Sequence, residues 1–180
     1  MSYATARRIS LPDTAKLVRQ ALKAAYPTVR FSVRCERYSL GCSIHVHWTD
    51  GPTRGQVQPL LNCFDSKSFD GMNDSTDHHT QHLDGEEVRY EADYVTGSRT
   101  ESVAFLQEVA VRVARRAGVA VPTVEGIDSG HVPFQGIRVP SSRFADTEED
   151  LSDEIHYVAH RTSALPKPRM TVYPTVTEVA

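Results

Sequence analysis

Six residues with metal-ligating side chains, Asp74, Asp77, His78, His79, His82 and Asp84, crowd into one polar stretch of the chain. Imidazole and carboxylate ligands suit zinc, nickel or manganese, and His78 and His82, four apart, would share a face if the stretch were helical. His78, His79, His82 and Asp77 are therefore the candidate metal ligands, and a divalent ion such as zinc is the sole cofactor the sequence brings into view. Set against this, the stretch has no helical apolar stripe to hold its ligands, and its spacing matches no established site. A solvated loop is the plainer reading. A second group is His45 and His47, which alternate with apolar residues and so project from one open sheet face beside Arg30 and Arg34, with Arg89, Glu91 and Asp93 on a neighbouring or nearby strand. Histidine titrates near neutrality and arginine forks onto oxyanions, so such a face can move a proton or bind a phosphate, and Arg30, Arg34, His45, His47 and Arg89 are the candidates for contact with a protein or a nucleic acid. Its plain alternative is a solvated face laced with cross-strand charge pairs. Cys35 and Cys42 flank a turn and can face each other across it, but alternation puts Cys42 and His45 on opposite faces, which argues against a nucleophilic dyad. Trp48, Tyr90 and Tyr94 align with aliphatic residues and read as core. No catalytic residue is assigned, and the reading leans away from an enzyme.

The elements that position these side chains follow from hydrophobic period. Asp13 to Tyr26 predicts a helix, with Val18, Ala21, Leu22 and Ala25 on one stripe, a cap at Asp13 or Thr14, and Pro27 as the stop. Val29, Phe31, Val33 and Cys35 then alternate with Arg30, Ser32, Arg34 and Glu36, and Cys42, Ile44, Val46 and Trp48 alternate with Ser43, His45, His47 and Thr49. These two runs predict a hairpin, with Gly41 at a turn position that favours a positive φ. Thr53 starts a second helix through Val57, Leu60, Leu61 and Phe64, in which Pro59 predicts a kink or a restart. Residues 65–85 are a polar excursion, and Glu87 to Thr96 predicts a third strand. Ser98-Arg99-Thr100-Glu101 fits a capping box for a helix through Phe105, Leu106, Val109, Ala110 and Val113, closed by Gly118.

The order α-β-β-α-β-α predicts an α+β fold: a small, mainly antiparallel three-stranded sheet packed on helices, with an extended C-terminal arm and one acidic helix near Glu148 to His160. The domain reading is an N-terminal extension over 1–12, a core over 13–118, and a Pro/Gly-rich arm, acidic helix and mobile tail over 119–180. The 180 residues suffice for a real core, and the net charge of −3 supplies no general pull toward nucleic acid. Three cysteines without a paired motif argue against a secreted disulfide framework. With neither a signal-peptide pattern nor a run of about 18 apolar residues, the chain reads as a cytoplasmic protein with no membrane role. Its oligomeric state is not legible.

Ala15 to Leu22, Phe31-Ser32-Val33, Arg37-Tyr38-Ser39, Ser43 to Pro52, Phe69-Asp70-Gly71-Met72, Leu83 to Val88 and Ala92 to Val95 together resemble the large polyvalent protein associated domain, type twenty-nine, over roughly residues 11 to 118. The family is carried by phages and conjugative elements. The resemblance implies a mobile-element origin and action in the infected or recipient cell. It brings no catalytic residues. The leading expectation is a small non-enzymatic protein that binds a host or defence protein, as an anti-defence inhibitor would. The alternatives are a nucleic-acid-binding module using Arg30, Arg34 and Arg89 with Arg7 and Arg8, and a metal-dependent hydrolase on the His-rich stretch. The acidic residues Asp146, Glu148, Glu149, Asp150, Asp153 and Glu154 are a further contact candidate, as mimics of nucleic-acid phosphates.

Overall fold

Ser10 and Pro12 decide where the first helix begins. In the computed structural model, residues 6–70, 75–78, 81–120, 127, 134 and 136–165 are described, with backbone alone at 68–70 and 75–78. A short strand β1 (Arg7–Ile9) leads into α1 (Leu11–Ala25), and the Asp13 amide donates to Ser10 Oγ at 3.3 Å. The cap thus lies a few residues before the expected one. Proline at the second helical position is tolerated there, because the first-turn amides have no intrahelical partner. Val18 and Leu22 bury the inner stripe, and the helix ends at Tyr26 ahead of Pro27.

The chain forms two compact units, one within Met1–Trp48 and Arg54–Ser98, the other within Thr49–Thr53 and Arg99–Lys167. In the first, β2 (Ser32–Tyr38) and β3 (Gly41–Thr49) make the expected antiparallel hairpin, with Val33 opposite Val46 and Arg34 opposite His45. Ile44, Val46 and Trp48 are buried while His45 and His47 are exposed, so alternation assigns the faces correctly. β2 is an edge strand, exposed along nearly all its length. α2 (Arg54–Asn62) runs through Pro59 as one short element and does not restart.

The polar excursion holds structure the sequence reading leaves out. β4 (Lys67–Asp70) pairs antiparallel with β5 (Ser75–His78), and β6 (Gln81–Leu83) pairs antiparallel with β7 (Glu86–Tyr90) across Asp84 and Gly85. Both turn residues have positive φ, 54° and 83°, as a tight hairpin turn of matching twist requires. β1 lies parallel on β7. The expected third strand is split, because β7 ends at Tyr90 and β8 (Tyr94–Thr100) begins four residues on beside β3. Bonds between residues 42 and 93, 45 and 96, and 47 and 98 advance in step, so β8 runs parallel to β3. The α+β class and the order of elements hold, with two mixed three-stranded sheets in place of one mainly antiparallel sheet.

In the second unit, α3 (Val103–Ala117) is capped by Ser102, whose Oγ accepts the Phe105 amide at 3.2 Å, and ends at Gly118 with φ of 70°. The capping box at Ser98 to Glu101 is overridden because β8 continues to Thr100. β9 (Arg138–Pro140) and β10 (Glu148–Asp150) form an antiparallel pair, followed by α4 (Leu151–Arg161). Leu106, Val109 and Val113 of α3 pack with Val139, Leu151 and Ile155. The periodicity that finds α3 says which stripe is buried but not against what, and the partner is α4. The Arg99 side chain is fully buried here, donating from Nε to the Asp50 carbonyl at 3.0 Å and from Nη1 to the Ala159 carbonyl at 3.3 Å.

Candidate binding surfaces

The side chains of the open sheet face are held in place. His45 Nε2 meets Ser43 Oγ at 2.9 Å and Glu36 Oε2 at 3.0 Å, while Nδ1 meets Thr96 Oγ1 at 3.0 Å. His47 Nδ1 is 3.2 Å from Ser98 Oγ. With both ring nitrogens engaged, His45 acts as a fixed polar contact. Arg34 stands exposed across from it.

The other expected residues fall elsewhere. Arg30 is exposed ahead of β2, beside Arg19 and Lys23 of α1. Arg89 lies on β7, in register with Arg8 of β1, and is not beside Arg30 and Arg34. His82 is exposed on β6, and Asp77 and His78 lie on β5, so two strands occupy the stretch that a helical pairing of His78 with His82 would need. The side chains of Asp77 and His78, and His79 entirely, lie outside the described residues. Among the described residues, no three His, Cys, Asp or Glu side chains come together as a ligand set. The register sets Cys35 opposite Ile44 and Cys42 opposite Arg37, so the two thiols do not face each other. All three cysteines are free.

The acidic segment of the second unit is partly neutralised. Glu154 is fully buried, accepting the Ser142 amide at 3.0 Å and bonds from the Ser142 hydroxyl and the Arg116 guanidinium. Burial pushes its pKa up, but these donors outweigh burial and leave it below the usual carboxylate value. Glu149 pairs with Arg143 at 3.4 Å and Asp150 with Arg138 at 3.7 Å. Half of the expected phosphate-mimic surface is therefore paired within its own unit.

A groove of about 670 Å³ opens in the first unit where the two sheets meet. Arg8, Arg37, Lys67 and Arg89 line it with Glu91, Asp93 and the hairpin tip residues Tyr38 and Leu40. Glu91 follows the end of β7. Its carboxylate accepts the Leu11 amide at 2.6 Å and Arg37 Nη1 at 2.9 Å, with Arg8 at 3.6 Å. The bond from Arg37, then that from Leu11, holds its pKa down. Asp93 accepts the Cys42 amide at 3.2 Å and Lys67 Nζ at 2.9 Å. Burial, then the charges of Glu91 and Asp93, pushes the Cys42 thiol up, so it stays neutral and inert near neutrality. Two carboxylates thus brace the hairpin from beneath while Tyr38 and Leu40 stand 45% and 89% exposed at its tip. The sequence reading put Glu91 and Asp93 on the open sheet face and passed over Tyr38 and Leu40. A leucine in the two-residue turn Ser39-Leu40, where polar residues are the rule, with a tyrosine just before it, is the signal that pointed there.

The first unit is thus a small α+β domain whose charged side chains converge on a groove and an open sheet face. The chain belongs to the family described as large polyvalent protein associated domain 29, whose model matches residues 9–102, more than half of its 180 residues. Membership associates it with phages and mobile elements. The match stops at the cap of α3, in keeping with the packing of α3 into the second unit. No curated protein and no solved structure matches the chain. Among the described residues, no helix is long and apolar enough to cross a membrane.

Proposed function

We propose that the chain is a non-enzymatic binding protein of a phage or mobile element that occupies a host or defence protein in the host cytoplasm, with the hairpin-tip groove as its contact. The observation that carries this reading is the pairing of two exposed apolar side chains, Tyr38 and Leu40, with a lining of four cations and two carboxylates. Buried aromatic and aliphatic anchors supply most of the energy of a protein interface, and surrounding charges set register and rate of encounter. The surplus of positive charge fits a partner segment that carries acidic residues around one apolar side chain. Because Glu91 and Asp93 hold the hairpin to the rest of the domain, little ordering entropy remains to be lost on binding.

The test places a photo-activated cross-linker at position 40 of the full chain in producing host cells, with a second chain carrying it at Arg54, exposed on α2. A defined adduct from position 40, missing from position 54 and lost when Tyr38→Ala and Arg8→Glu are combined, is the expected result. The same set of adducts from both positions would overturn the reading.

A further inference from the structure

We propose that the first unit carries a second, separate site, at the edge formed by α1 and the chain entering β2, which binds the phosphate backbone of a nucleic acid. Lys16, Arg19 and Lys23 are spaced i, i+3 and i+7, so they share one stripe of α1, flanking buried Val18 and Leu22, and all three are exposed. Arg19 reaches across to β2, where its Nη2 donates to the Val33 carbonyl at 2.8 Å. Arg19, Lys23 and Arg30 line one groove of about 620 Å³, whose remaining walls are Leu22 and the Pro27 to Phe31 segment, with no carboxylate among them. Arg34 follows on the same edge strand.

The contrast with the rest of the unit is what makes this surface informative. Arg7, Arg8, Arg37 and Lys67 each have a carboxylate within 4 Å, whereas among the described residues Lys16, Lys23, Arg30 and Arg34 have none. The one carboxylate of α1, Asp13, sits in its first turn and is bonded by the Ser10 hydroxyl at 2.6 Å. Like charges four apart on a helix repel, and a chain of net charge −3 has acidic residues to spare for such positions. A polyanion is the ligand that turns this repulsion into attraction. A row of cations about 10 Å long on α1 matches the linear repeat of phosphates. Among the described residues the large exposed apolar side chains are Tyr38, Leu40, Ile137 and Phe144, and none of them lines this groove, so the anchors a protein interface requires are missing from it. This inference stands apart from the hairpin-tip groove and survives or fails independently of it.

The experiment is fluorescence anisotropy of a labelled duplex oligonucleotide and its single strand with the full chain. Between about 50 and 200 mM salt, four engaged cations give a log-log slope of about −3 to −4 for the duplex and a shallower one for the single strand. Combining Lys23→Gln with Arg30→Gln, both exposed and unpaired, should weaken binding by about tenfold and reduce the slope by about 2. Arg112→Gln, exposed on α3, should leave both unchanged. Far-UV circular dichroism confirms that each variant is folded. No binding to either oligonucleotide at low salt would overturn the proposal. So would a slope indifferent to the double variant, or tighter binding of polyglutamate, which would assign the edge to an acidic protein surface.

Discussion

Asp65, in the first unit, carries a strongly displaced acidity. Burial raises its pKa to about 7, against the opposing pull of the Val95 amide that donates to its Oδ1 at 2.5 Å. Its unfolded value is about 4, so between roughly pH 4 and 7 the folded chain holds a proton that the unfolded chain has lost. Stability from this group is fully present below the unfolded value and falls away as pH rises through the folded one. Asp65→Asn keeps an oxygen for the Val95 amide and removes the ionisation. Its melting temperature should lie nearest the parent's at about pH 4 and exceed it by a growing margin up to about pH 8; parallel curves across that range would rule this account out. Gly41 makes a second case. It has no positive φ, contrary to the turn reading, and a Cβ on it would lie 1.8 Å from Asp93 Oδ2. Gly41→Ala must push Asp93 off the Cys42 amide and Lys67, so chemical denaturation followed by Trp48 fluorescence should show a loss of about 1–3 kcal/mol. Glycine is visible in a sequence, but the carboxylate fifty residues away that demands it is not.

At the scale of elements, β8 is closed on its outer edge by side chains. Gln58 of α2 accepts the Gly97 amide at 3.3 Å and donates to the Val95 carbonyl at 3.2 Å, so neither polar group is left for an adventitious strand. Gly97 also lets Trp48 and Leu61 approach the backbone, because a Cβ there would lie 3.0 Å from the Trp48 ring and 3.1 Å from Leu61. Gly97→Ala should therefore cost about 1–3 kcal/mol and shift the Trp48 emission in the folded state; unchanged stability would mean that the ring has room to move. What the sequence made legible here is the set of long periodic elements. α1, β3, α3 and α4 each bury an unbroken apolar stripe, and periodicity reports burial directly. β4, β5, β6 and the break between β7 and β8 escaped because three- and four-residue strands carry too few side chains for a period, although Asp84-Gly85 held the turn signature of the β6–β7 hairpin. The groove escaped for a related reason. Arg8, Arg37, Lys67 and Glu91 come from separate elements, and only strand pairing brings them together.

Over the whole molecule, charge is sorted in a way that the net value of −3 conceals. The first unit keeps an unpaired basic edge and a braced groove, while the second turns its acidic segment onto its own arginines. The family match covers nearly all of the first and leaves out the second from α3 onward, so the two carry separate arguments. Each unit nevertheless contains a carboxylate whose pKa is held below its ordinary value by donors, Glu91 in the first and Glu154 in the second. A lowered folded pKa gives stability that is present above the unfolded value, about 4.3, and is lost as pH falls through the folded one. Acid should thus weaken both units in the same range. The chain's single tryptophan, Trp48, lies in the first unit and reports that unit alone. Glu91→Gln retains an oxygen for the Leu11 amide and should flatten the acid limb of the Trp48 transition. Arg116→Met removes one of the donors that lower Glu154 and should shrink the acid limb of the helical signal from α3 and α4, at a cost of about 2 kcal/mol near neutrality. If Glu91→Gln left the Trp48 acid limb as steep as in the parent chain, the hydrogen-bonded carboxylate would not be what ties the hairpin down.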